Sequence, residues 1–396
     1  MARRHIDDAE RRARLVVRHH LARTAADPLA AVRGVAAMHS SDPITPYLGA
    51  WARIPGFTIA DLDRAMFDER ALWRLHAMRR TLFVVPRDEA AAFIAGAGLD
   101  VARAERKRLE GWVAAELPAR RVKRWLVELE AGVLAALADG AELQTQDLAL
   151  RVPELAREVT LGAGKWTQRV AIGSRLLFLM AMEGRIVRTR PIGTWRSSQY
   201  RWVATAAFTG APAEGLPTPD AGRATIIGRY LATHGPATMT DIRWWTGFGA
   251  AHVKVALAAL GAVVVDLDGG GEGWVLPEDV DPAPAAPEHV SLLPGLDPTA
   301  MGWKERAFYL DPAMVKQLFD TNGNAGPTVW VDGRVVGGWG QRPEDEGAAV
   351  VSRLLVRPRR GTAERVASEA AALGAWLAGT RAIPRFRTPL DKELSG

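Results

Sequence analysis

Residues 185–203 read RIVRTRPIGTWRSSQYRWV. Two β-rich runs, Arg185–Arg190 and Tyr200–Val203, flank a Pro-Ile-Gly-Thr turn, which is the pattern of a β-hairpin. Three segments of helical spacing precede it: RVKRWLVELEAGVLAALADG (121–140), QTQDLALRVPEL (144–155) and GKWTQRVAIGSRLLFLMAMEG (164–184). Three helices followed by a hairpin is the order of a winged helix, and this reading decides the fold.

The same order recurs on both sides. Upstream, DDAERRARLVVRHHLA (7–22), DPLAAVRGVAAMH (27–39) and TIADLDRAMFDE (58–69, Thr58 as N-cap) are predicted helices. LWRLHAM (72–78) continues with helix-like spacing into a β-rich run, Thr81–Val85. Downstream, three more predicted helices lie at 222–235, 238–248 (capped near Thr240-Asp241) and 249–261. They lead into a hairpin, AVVVDLDGGGEGWVLP (262–277). EDVDPAPAAPE (278–288) reads as a linker. Beyond it the strand candidates are HVSLLPGLD, AFYLD, PTVWVDGRVVGGWGQ and AAVVSRLLVRP, with Asp332-Gly333 as a hairpin turn. A helix, TAERVASEAAALGAWL (362–377), follows. The expected class is α+β: tandem winged helices at 1–100, 101–210 and 211–280, then a small β-barrel-like domain with one helix at 288–396.

A chain of 396 residues calls for several cores. It has no cysteine, so disulfides and thiolate chemistry are excluded. Eight scattered histidines form no metal-binding spacing, and neither metal nor organic cofactor is expected. The sequence shows no secretory signal and no long apolar run, so a cytoplasmic, membrane-free protein is expected. The basic residues are 44 Arg against 7 Lys, with net charge +6. That balance fits a high-GC bacterial origin and an anionic partner.

The hairpin is the strongest binding signal. Arg185, Arg188, Arg190, Arg196 and Arg201 stand among Trp195, Gln199, Tyr200 and Trp202, with no Asp or Glu. Arginine contacts phosphates and aromatic rings stack on bases; the alternative is a hairpin whose aromatics pack inward. Arg79 and Arg80, just before a strand, are further phosphate candidates. Arg103, Arg106, Lys107, Arg108, Arg120, Arg121, Lys123 and Arg124 are interspersed with acids and read as solvated helix faces. Within AAMHSSDPITPYLGAWARIPGF (36–57), Ser41-Asp42-Pro43 suits a helix start. His39, beside a hydroxyl and a carboxylate, is a candidate for orienting or deprotonating water.

Together, MHSSDPITPYLGAWARIPGF, MRRTLFVV, RTRPIGTWRSSQYRW, LLPGLDP and NAGPTVWVDGRVVGGW resemble the AlkZ/YcaQ-type winged-helix DNA glycosylases, from about residue 8 to 380. The resemblance implies three winged helices, a C-terminal β-barrel and no cofactor. It further implies a monomer on double-stranded DNA that excises bulky N7-alkylated purines, unhooks crosslinks and protects its host from its own genotoxin. His39 and Ser41 occupy the places of a Gln-x-Gln or Gln-x-Asp catalytic pair, with Asp42 as a possible substitute carboxylate. Where the family usually has Thr-Leu-His, this chain has Thr81-Leu82-Phe83. The competing readings are a DNA-binding protein without catalysis (a damage sensor or a regulator) and an enzyme on a non-nucleic substrate.

Overall fold

The computed structural model describes residues 3–162, 167–209, 215–344 and 347–396. The first unit begins with strand β1 (His5–Ile6), helix α1 (Asp8–Arg18) and helix α2 (Pro28–Arg33). Asp7 and Asp27 cap these helices by accepting from Glu10 and Ala30 N–H. Strand β2 (Met38–His39), helices α3 (Ile44–Trp51) and α4 (Ile59–Asp63), and strands β3 (Leu72–His76) and β4 (Leu82–Pro86) follow. The sheet order is β2-β4-β3, all antiparallel.

The helix-like spacing at Leu72–His76 is overturned, because this segment is a strand with every residue buried. Met78–Arg80 makes the turn from β3 to β4, with Arg79 and Arg80 at φ 52° and 65°. Left-handed backbone at two arginines is costly. The turn is closed by hydrogen bonds between Ala77 and Thr81 and from Thr81 N–H to Met78 O.

The second unit runs through α5 (Ala90–Phe93), α6 (Leu99–Ala114), α7 (Ala119–Ala136), α8 (Thr145–Arg151), β5 (Glu158–Leu161), β6 (Gln168–Ala171), α9 (Gly173–Met182), β7 (Ile186–Pro191), β8 (Tyr200–Ala204) and α10 (Thr205–Thr209). Part of the helix expected over 164–184 is instead strand β6, paired with β5; residues 164–166 of that stretch lie outside the described residues. The β7–β8 hairpin forms as expected, with a register shift between Arg188 and Pro191.

The third unit has α11 (Pro219–His234), α12 (Met239–Thr246), α13 (Ala250–Ala259), β9 (Val263–Leu267) and β10 (Glu272–Val275). The cap of α12 is Thr238, whose side chain and Asp241 form a reciprocal capping box. β1 adds to this sheet in parallel with β9, stapling the N-terminal segment onto the third unit.

The last unit has β11 (Val290–Leu293), α14 (Val315–Leu318), β12 (Thr328–Val331), β13 (Arg334–Glu344), β14 (Gly347–Leu354), α15 (Thr362–Leu377) and α16 (Pro389–Ser395). Its antiparallel sheet runs β11-β12-β13-β14. Among the described residues β11 and β14 do not pair; α15 packs across both. AFYLD (307–311) is not a strand but a buried turn whose Phe308, Tyr309 and Leu310 fill the core. Asp332 and Gly333 turn the β12–β13 hairpin with positive φ.

The cores cross the unit boundaries. One joins α1–α4 to the C-terminal sheet through Leu48, Trp51, Trp303 and Trp330. A second joins the other face of the β2-β4-β3 sheet to the third unit through Phe83, Val85, Tyr230 and Trp245. The first sheet is thus clamped between two units. Arg53 and Asp297, both wholly buried, tie α3's end to the C-terminal unit by two bonds of 2.7 and 2.8 Å. No helix among the described residues is long and apolar enough to cross a membrane.

Candidate active site

β2 pairs with β4 so that Met38 opposes Val84 and His39 opposes Phe83. Ser40 extends the ladder by one bond, its N–H donating to Leu82 O at 2.8 Å. Alternation in extended chain then puts His39 and Ser41 on one side and Ser40 on the other. Burial agrees. Ser40 is 1% exposed and its Oγ has no partner, whereas His39 and Ser41 both reach the surface.

The ring of His39 is enclosed although part of the residue reaches solvent. Phe83 meets it edge-on, centroids 5.5 Å apart. Burial, and then the charge of Arg79, push its pKa down to about 3. The ring is therefore neutral at ordinary pH. Ser41 N–H donates to its Nδ1 across 3.4 Å, so the neutral ring carries its proton on Nε2. Leu82 N–H points to Ser41 Oγ, also at 3.4 Å.

Asp42, the third catalytic candidate of the sequence, has its carboxylate engaged by backbone groups. It is 3% exposed, and both carboxylate oxygens are taken: one accepts Ile44 N–H at 3.3 Å, the other Arg385 N–H at 2.8 Å. Pro43 is the N-cap of α3, and Asp42 just before it pins the C-terminal segment against the loop. Burial raises its pKa against these bonds. Ser41 does not cap the helix.

The hairpin packs against this same region. Arg190 bridges Asp63 (3.0 Å) and Asp68 (2.8 Å) of the first unit. Arg185 pairs with Glu130 at 2.5 Å and Glu183 at 3.5 Å. The acid-free local sequence thus understated how far other elements neutralise it. Trp195 is wedged between Tyr47 and Trp376, centroids 5.3 and 6.0 Å away. Trp202 is buried, donating to Thr145 at 3.2 Å, whereas Trp195 and Tyr200 are half-buried. Arg196 donates to Arg381 O at 2.6 Å while remaining exposed, Gln199 is exposed, and Arg201 is partly exposed. Arg188 lies over Tyr200 at 4.0 Å. Arg79 lies over Trp244 at 5.0 Å, and Arg80 pairs with Glu105 at 3.3 Å.

The structure also brings in residues that the sequence reading passed over. Arg74 donates to Ser40 O at 2.9 Å, and Tyr47 donates to Asp63 at 2.6 Å. The signal for Arg74 was a charge inside an apolar run, LWRLH. No group of three or more His, Asp or Glu among the described residues is arranged to hold a metal ion.

Residues 32–376 match the family model described as DNA glycosylase AlkZ-like. A curated relative, the interstrand DNA cross-link repair glycosylase of Streptomyces sahachiroi, is 26% identical over 277 residues, covering 68% of this chain and 70% of that protein. The solved structure of Streptomyces sahachiroi DNA glycosylase AlkZ shares the fold, with a TM-score of 0.71 at 22% identity over 95% of this chain and 98% of that one. Matched by that family model over most of its length, the chain belongs to the AlkZ-like family of DNA glycosylases.

Proposed function

We propose that this protein is a monofunctional DNA glycosylase that hydrolyses the N-glycosidic bond of bulky N7-alkylated purines in duplex DNA, interstrand crosslinks among them, with three winged-helix units supporting the DNA surface. Self-resistance against a genotoxic natural product is the matching biological role. The observation that carries the reading is the pairing of His39 and Ser41 on one side of a strand end in a chain of this family.

The chemistry asks little of the enzyme. An N7-alkylpurine is cationic, so the C1′–N9 bond breaks with its electron pair passing to the purine, which leaves neutral. The sugar becomes oxocarbenium-like. A neutral His39 does not repel that developing charge, as an imidazolium would. Its Nε2–H donates to the water oxygen, one lone pair of which faces C1′. Ser41 Oγ accepts from the same water, and after the O–C1′ bond forms the surplus proton leaves through Ser41 to solvent. Protonated alcohols are strong acids, so a base as weak as this His39 is no handicap. The contribution is aim.

Duplex DNA carrying N7-methylguanine or a bulkier N7 adduct should yield alkali-labile abasic sites. His39→Ala should slow this about 10²-fold or more with unchanged DNA affinity. Failure on every adduct class, or a fully active H39A, overturns the reading. The second reading, a catalytically silent sensor of damaged DNA, draws on both carboxylate oxygens of Asp42 being taken by backbone N–H groups.

A further inference from the structure

His39 and Ser41 share one side of the strand end, and pairing in the sheet fixes where that side faces. His39 pairs with Phe83, and Phe83 with Leu75. Residues directly opposite in a sheet point the same way. Phe83 and Leu75 pack into the core of the third unit, with the Phe83 ring 6.5 Å from that of Trp245 on α12. The His39 side of the sheet therefore faces the third unit.

Arg79 stands on this side. Burial apart, it is the charge of Arg79 that lowers the His39 pKa. Arg80 next to it pairs with Glu105 at 3.3 Å, but Arg79 is exposed and forms no ion pair among the described residues. It is nevertheless held in place. Its backbone is left-handed, at φ 52°, a conformation that persists at a non-glycine residue only where the surroundings enforce it. Its stem crosses the carboxyl end of α12 so closely that a Cβ on Gly247 would lie 3.0 Å from its Cγ. The carboxyl end of a helix dipole favours a cation. The guanidinium carbon then sits 5.0 Å from the centre of the Trp244 ring.

Trp244 carries a second arginine. Arg306, from the C-terminal unit, places its guanidinium carbon 5.4 Å from the same ring and 4.5 Å from that of Phe319. Arg306 is half-buried and also forms no ion pair among the described residues. Its exposed neighbours Lys304 and Glu305 cancel in charge. Trp244 is itself wedged against two cores. An aromatic ring holds a cation without neutralising it. Both guanidiniums thus stay free for an anion, unlike Arg185 and Arg190 of the hairpin, which are paired with carboxylates.

A sugar that presents C1′ to His39 carries a phosphate on each side, so a cation beside His39 meets the backbone of that same strand. The planar fork of guanidinium fits phosphate oxygens. We propose that Arg79 and Arg306, backed by Trp244, bind two phosphates of the strand whose nucleotide faces His39 and Ser41, so that this strand runs from the first unit past the third to the C-terminal unit. Both are positioning residues, acting on the backbone and not on the glycosidic bond. The inference rests on the DNA-glycosylase reading for its ligand, but its test does not require base release.

The probe is a duplex carrying a tetrahydrofuran abasic analogue, bound by the full chain, with single methylphosphonates scanned through both strands. Two neutralised phosphates, both in the analogue's strand, should each weaken wild-type binding about tenfold. Arg79→Met should weaken binding to the unmodified duplex by a similar factor, lower the salt slope by about 1, and be insensitive to one of those two methylphosphonates. Arg306→Met should do the same for the other, and the double variant should lower the slope by about 2. R79K and R306K should each restore part of the affinity. Trp244→Leu leaves both charges in the chain but removes their support, so R79M should cost less in that background than in the wild type. Because Arg79 is exposed, R79M decides the matter should R306M fold poorly: the second phosphate must then keep its full penalty in R79M. Wild-type affinity and slope in either folded variant, penalties confined to the complementary strand, or both penalties undiminished in R79M overturns the proposal. Because the duplex has no scissile base, an inactive protein can still show the site, and an active glycosylase can still lack it.

Discussion

Phe83 stands directly across the β2–β4 pair from His39, its ring edge-on at 5.5 Å and 68°. It is 4% exposed, so one side of the imidazole faces apolar core and not water. This is a physical reason for the neutrality of His39, and it gives the departure from the family's Thr-Leu-His pattern a local consequence.

His39 should not titrate between pH 8 and about 4 in an NMR imidazole titration, since its pKa is held near 3. Glycosylase activity should accordingly stay flat over that range as far as His39 decides it. Phe83→Ser admits water and should move the pKa back toward the ordinary histidine value. A native His39 titrating near 6.5 would refute the assignment.

Acid should loosen the clamp between units. His19 and His234 are buried with Trp303, where burial, and then neighbouring charge for His19, hold both low, His234 near 3. Folded values below the unfolded value of about 6.5 mean that their stabilisation is complete above that pH. It is lost progressively as pH falls from there toward 3. Melting temperature should fall steeply over that window, and H234Q should start lower and fall less.

Asp297→Asn should destabilise the protein by about 3–5 kcal/mol, because it leaves the Arg53 guanidinium buried without its countercharge. Thermal unfolding reads this directly. Replacing both partners with Met and Leu should recover much of the loss. A D297N protein melting like the wild type would show the pair to be dispensable.

Hairpin arginines should divide into two groups. Arg201→Ala and Arg196→Ala should each lower the salt dependence of DNA binding by about one counterion with little effect on melting. Arg190→Ala and Arg185→Ala free carboxylates that are now paired, Asp63 and Asp68 or Glu130 and Glu183. These two should lower melting temperature more than they alter salt slope. Equal behaviour of all four would contradict the division.

The helices were legible where apolar spacing met a cap, as in α1, α2 and α4, because both signals are local; α11 and α15 were legible by spacing alone. The β7–β8 and β12–β13 hairpins were legible through their turn residues. His39 and Ser41 were paired only through the family resemblance; the helix expected over 27–39 ends at Arg33, and the strand Met38–His39 that sets their alternation went unread. β3 was not legible. Its run LWRLH is buried throughout, Arg74 and His76 included, so its polar residues mark no exposed face, and pairing with β4 decided its conformation. β6, the largely exposed QRVA, runs almost directly into the apolar helix α9, and its partner β5 supplied the missing constraint.

Long-range neighbours decided everything that depends on charge balance. By itself the sequence determined the order of helices and hairpins, the cationic hairpin and the polar knot at 39–42, since propensity, capping and turn geometry act over a few residues. Only tertiary structure sent Asp42 to Arg385, 343 positions away, and left His39 beside Ser41. Only tertiary structure gave Arg185 and Arg190 their carboxylates while withholding any, among the described residues, from Arg79 and Arg306. Coulomb energy and burial depend on distance in space, and residues far apart in the chain set those distances.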